Sequence, residues 1–142
     1  MTVPPAVIVH GLADARAALA PGLPVTLLSA PGAALYAGCL WWRSLVLMAR
    51  DERPDVTMLD ILDCADGSGQ AMAALRVGLS RLVLWPSAPG WEAVAAIAAK
   101  RGGFVLAEAP PALDLAEPGA MRRLQVWLQV HTAPRDSAPT VS

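Results

Sequence analysis

The sequence predicts an α/β protein: a three-layer α/β/α sandwich around a five-stranded, mainly parallel sheet. Three observations carry this expectation. Short apolar runs alternate with longer helical patterns five times along the 142 residues. The runs are apolar throughout rather than alternating, as strands buried on both faces are. Gly and Pro stand at the ends of the helical patterns, where they stop and start helices. Such alternation builds a parallel sheet with helices against it.

Taken in order, Ala6–His10 is the first β-rich run, and Leu12–Ala20 the first helix, stopped by Pro21-Gly22. Val25–Ser29 is the second run; Pro31-Gly32 then opens a helix expected to reach Arg50. Val56–Leu62 is the third run, followed by a helix from Gly69 to Val77 that Gly78 ends. Arg81–Trp85 is the fourth, with a helix from Pro89 to Lys100 closed by Gly102-Gly103. Phe104–Ala107 is the fifth. Pro110 and Pro111 forbid its continuation, and a last helix starts near Pro118 and reaches about Val130. The arrangement is flavodoxin- or Rossmann-like. The runner-up is half of a TIM-like barrel, for which five units are too few to close. Residues 1–131 are expected to form one domain, and 132–142, rich in Pro, Ser, Thr and Ala, a flexible tail.

Composition narrows the function classes. Apolar residues make up 55% and charged residues 16%, against about a quarter charged in an ordinary domain; that excludes disorder throughout. Eleven basic residues face 12 acidic ones for a net charge of -1, so no nucleic-acid partner is expected. Two cysteines outside any CxxC spacing predict reduced thiols and no metal site, and no cofactor motif is complete. The chain start has no basic segment followed by an apolar one, which predicts a cytoplasmic protein. Val25–Met48 is apolar enough to raise a membrane span, but Pro31-Gly32 breaks it and Arg43 sits inside it, so none is expected.

In doubly wound sheets, ligands bind at the carboxyl ends of the strands. Here those ends carry His10 and Gly11, Ser29 to Gly32, Asp63 to Gln70, Trp85 to Trp91, and Glu108 to Pro111. The most distinctive segment is Asp60-Ile-Leu-Asp-Cys-Ala-Asp-Gly-Ser-Gly-Gln70. Its Gly67, Ser68 and Gly69 open a helix, and backbone amides there suit a small anion. Asp66 or Ser68 as a simple helix cap is the plainer alternative. Ser29 and Ser87 are candidate ligand-positioning hydroxyls. Asp60 is ambiguous. If the strand reaches Leu62, it is a buried carboxylate that needs a partner or a raised pKa. If the strand stops at Leu59, it sits at the carboxyl edge.

The second possibility brings a likeness. Pro54-Asp-Val-Thr-Met-Leu-Asp-Ile61, followed by Asp66-Gly67, resembles the central stretch of two-component receiver domains. The resemblance implies Asp60 as a phosphate acceptor and Ser87 as the hydroxyl switch. The sequence departs from the family at two places. His10-Gly11 replaces the acidic pair that would hold magnesium, and Glu108 replaces the lysine after the fifth strand.

If strands one and three are neighbours, as in a 2-1-3 order, His10 and Cys64 share an edge. They could then form a nucleophilic pair, with Asp63 or Asp66 orienting the imidazole. His131, in the last helical turn, has no expected catalytic role. The helix 33–50 carries the partner signal. It is apolar almost all round, with Tyr36, Arg43 and Arg50 as its polar stripe. Trp41 and Trp42 project about 100° apart, which makes both hard to bury in one core. A sheet covers one side of a helix, and the rest needs another partner. Either the C-terminal helix, through Leu124, Trp127 and Leu128, or a second copy must supply it. Tyr36, Trp41, Trp42 and Arg43 are therefore candidate interface residues for a homo-oligomer.

The expected function is a small self-associating module that binds a small, anionic ligand at the strand ends. The alternative is a small cofactor-independent hydrolase or lyase using His10, Cys64 and the Asp63–Gly69 loop.

Overall fold

A computed structural model describes residues 2–130; the expected tail and His131 lie outside them. The chain forms β1 (Ala6–Val9), α1 (Leu12–Leu19), β2 (Val25–Ser29), α2 (Ala33–Tyr36), α3 (Cys39–Glu52), β3 (Met58–Asp63), α4 (Ser68–Arg76), β4 (Arg81–Val83), α5 (Trp91–Lys100), β5 (Phe104–Leu106), β6 (Ala112–Asp114) and α6 (Ala120–Val130). The class is α/β. All recorded pairings are parallel, and the sheet has six strands in the order β5-β4-β3-β2-β1-β6.

Two expectations are corrected. The strand count is six rather than five, because Pro110-Pro111 stand before a strand rather than ending the sheet. β6 is an edge strand, where a preceding proline costs no ladder bond. The sandwich is also replaced by a single helical layer. In the observed order each of the first five strands lies beside its predecessor, unlike the flavodoxin order 2-1-3-4-5 or the Rossmann order 3-2-1-4-5-6. Right-handed crossovers that always step in one direction place every helix on one face.

The core confirms that layering. One cluster joins Val7, Leu27, Leu62, Leu82 and Leu113, which share one face by register, to side chains from all six helices. The opposite face forms its own cluster of strand residues alone: Leu28, Ile61 and Val83, with Ile8, Phe104, Leu106 and Ala112 against them. Among the described residues no helix covers this face, yet Leu28, Ile61 and Val83 are at most 1% exposed. The sheet therefore curls, with these side chains inside the curl.

Chain length gives the same answer. A flat sheet would hold β5 and β6 five spacings apart, about 24 Å. Leu106 and Ala112 are joined by six residue steps, which reach at most about 20–22 Å, and the link must also return to the start of a parallel strand. A flat sheet is thus out of reach, and the curl brings the two edges nearer to each other.

The helix expected over 33–50 is two helices. Gly38, at φ 86° and ψ 160°, breaks the path in a conformation that only glycine adopts freely. α3 then packs between α1 and α4. Trp42, Leu45, Val46 and Ala49 face the core, and Trp42 is fully buried, its indole N–H without a partner among the described residues. Trp41 lies half-buried, its ring 5.7 Å from that of Trp42. α6 does not cover the outer side of α3. It sits at the other end of the sheet against β6, and its Trp127 donates Nε1–H to the Ala6 carbonyl at 2.9 Å. Among the described residues, no helix is long and apolar enough to cross a membrane.

Candidate functional site

The inward alternation that makes the second cluster brings His10, Asp63 and Asp114 to the carboxyl edge of the curl. His10 Nε2 meets Asp114 Oδ1 at 2.7 Å, with both side chains about a third exposed. The backbone frames the pair. Asp14, in the first turn of α1, accepts the His10 N–H at 2.9 Å. Asp114 Oδ1 also accepts the Ala116 N–H. Burial by itself would raise the Asp114 carboxyl, but the hydrogen bonds from His10 and Ala116 outweigh it and hold it below its ordinary range. Sequence reasoning missed Asp114, because it belongs to the missed strand.

Asp63 ends β3 and is 5% exposed. Its Oδ1 accepts the Ala65 N–H at 2.9 Å, while its own N–H donates to Ser29 Oγ at 2.9 Å. Ser29 therefore stitches β2 to β3 and is buried, not turned to a ligand. Ala65 is held at φ 49°, a left-handed conformation costly for any residue with a Cβ. Local strain of this kind collects at functional edges. The next loop locks onto this one. Trp85 N–H donates to the Ala65 carbonyl at 2.8 Å, and Ser68 Oγ donates to the Pro89 carbonyl. Trp85 is left 47% exposed beside the edge.

The His10–Cys64 pair is corrected. Its premise was that β1 and β3 are neighbours, but β2 lies between them. Cys64 also points to the helical face, fully buried, with its thiol donating to the Leu62 carbonyl at 3.9 Å. Burial, helped by the charge on Asp63, pushes its thiol up to about 12. A thiol that stays protonated and covered is no nucleophile.

The anion reading of the α4 start also loses its ground. A Cβ at Gly67 would run into the side chains of Gln70 and Leu35, so the space over the helix end is filled. Ser68 is spent on Pro89, and Asp66 and Gly69 are exposed at the turn. Ser87 is exposed in the β4–α5 loop. Among the described residues, no three His, Cys, Asp or Glu side chains gather closely enough to hold a metal ion.

Asp60 resolves the other way from the receiver likeness. β3 runs through it to Asp63, so the carboxylate lies within the strand, 3% exposed. Arg50 and Arg81 each donate to its Oδ1 at 2.8 Å. An enclosed, doubly paired carboxylate is not placed to accept a phosphoryl group. The chain matches no known protein family and no curated protein.

Proposed function

We propose that the chain works as a small binding module that self-associates through the α2–α3 face. One observation carries this reading. Leu35, Tyr36, Leu40, Leu47 and Met48 are 45%, 71%, 62%, 50% and 48% exposed on these two adjoining helices, while the other side of α3 is spent on the core. Large apolar side chains left outside the core on neighbouring helices, with Arg43 beside them on α3, have the composition of an interface centre. Trp42, expected at that interface, belongs instead to the core. A net charge of -1 puts little repulsion between copies.

Light scattering after size exclusion tests the proposal. An oligomer is expected, and Leu40→Glu with Leu47→Glu should return it to monomer with its circular dichroism intact. A clean monomer of the parent chain at 14.8 kDa would refute it.

A second reading keeps the enzyme alternative and draws on the His10–Asp114 pair alone. A carboxylate holding an imidazole at an open strand end is the arrangement of a general base. Its acidic partner would be Asp114, in place of the expected Asp63 or Asp66.

A further inference from the structure

Between α3 and the turn from α4 into β4 lies a cleft of about 270 Å³. Arg43, Val46, Leu47 and Arg50 line one wall, at the i, i+3, i+4, i+7 spacing of a single helix face. Arg81 and the 77–79 turn form the other wall, with Asp60 between them. The Arg43–Arg50 part of the polar stripe read from the sequence is thus the lining of this cleft.

Asp60 needs counter-charge because it is buried, but the cleft supplies more than it needs. Arg50 Nη2 is shared between Asp60 Oδ1 and the Met58 carbonyl, at 2.8 and 3.3 Å. Arg81 uses Nη2 on Asp60 Oδ1 and Nε on the Asp60 carbonyl, at 2.8 and 3.1 Å. Each guanidinium has five N–H donors, so Arg50 and Arg81 both keep donors in reserve. Arg43 has no polar partner among the described residues. Three guanidinium groups against one carboxylate leave a formal surplus of two positive charges. Asp60 meanwhile fixes two of the three cations in place, so little ordering remains for a ligand to impose.

The geometry points to a binding site for a phosphate dianion, as the free ion or as a small phosphomonoester. The surplus charge matches a dianion, and the planar donor forks match tetrahedral oxyanions. The cleft lies just below the range of sites for drug-sized ligands, which begins at about 300 Å³. A phosphate with a short organic stem fits that scale, against Val46, Leu47, Val77 and Leu79. The cleft lies within one copy of the chain but shares Arg43 and Leu47 with the face proposed for self-association. The titration is therefore also run on Leu40→Glu, whose side chain is exposed and lies outside the cleft lining; saturable binding there separates the site from self-association.

The test is a titration of the full chain with inorganic phosphate and, separately, glycerol 3-phosphate. It is read by amide chemical shifts and by thermal unfolding, at fixed ionic strength in a phosphate-free buffer. Saturable shifts confined to α3 and residues 77–81 are expected. Arg43 supports neither Asp60 nor the core, so Arg43→Ala should stay folded and bind both ligands roughly tenfold more weakly. Asp60→Asn removes the internal competitor while leaving an oxygen for the arginines. Phosphate should then raise the melting temperature more than it does in the parent, an effect of the opposite sign. Tighter binding of glycerol 3-phosphate identifies a phosphomonoester site, and tighter binding of phosphate a free-ion site. Non-saturating shifts, or an Arg43→Ala affinity equal to the parent's, would overturn the inference.

Discussion

Cys64 and Asp60 are both buried reactive groups, and their neighbours give them opposite characters. Cys64 is surrounded by apolar side chains with a carboxylate nearby, so its neutral form is favoured. Its pKa is raised in the fold, so the native state gains stability from keeping the thiol protonated. That gain is complete below the unfolded thiol's value near 9.0 and is lost as pH rises from there towards about 12. Unfolding titrations across this window should show stability falling with pH, and Cys64→Ala should flatten the slope. A thiol reagent at pH 8 is expected to modify the half-buried Cys39 first and Cys64 only on unfolding; equal rates would contradict the assignment. Asp60, by contrast, meets two guanidinium groups. The sequence carried half of this: a carboxylate inside an apolar run demands a partner. It did not say which arginines, because Arg50 and Arg81 lie ten and 21 residues away, on a different helix and a different strand.

At the scale of elements, the boundaries of β2 and the starts of β1, α1, β4 and β5 follow from local chemistry. Gly and Pro punctuation and β-branched runs act over a few residues and need no tertiary information. Two elements escaped this logic. The break at Gly38 divides a stretch whose apolar pattern is continuous, so hydrophobicity could not reveal it; the glycine itself was the available signal. β6 is three residues long after two prolines, and it is a strand only because β1 has a free edge beside it. Gly103 shows a further constraint set by contact. A Cβ there would overlap the Ser80 backbone where β5 begins beside β4. Gly103→Ala should therefore destabilise the protein by about 1–3 kcal/mol, measured by denaturant unfolding. Gly69, with open space around its Cβ position, provides the comparison: Gly69→Ala should have no such cost.

For the whole molecule, the curl of the sheet is the property with the widest consequences. It hides a face that no helix among the described residues covers, and it gathers the carboxyl ends of β1, β3 and β6 around one rim. Ile61 stands in the middle of that hidden face. Ile61→Ala is expected to cost about 2–5 kcal/mol, as in a packed core. On an open sheet the same change would stay within about 0.5 kcal/mol, so a small effect in urea unfolding would argue against the curl. The candidate site was legible to the same degree as the sheet. His10 and Asp63 could be placed at a strand end from the alternation of elements. Their partners could not, since the His10–Asp114 pair spans 104 residues and depends on β6 closing beside β1.

The sequence by itself determined the α/β class, the parallel strands and nearly all the helices, because periodicity, propensity and turn chemistry are written within a few residues. Strand order, the single helical layer, the acid beside His10 and the arginine cleft around Asp60 were decided only in three dimensions. They depend on which edges meet and how far a short link can reach, and those relations join residues that are remote along the chain.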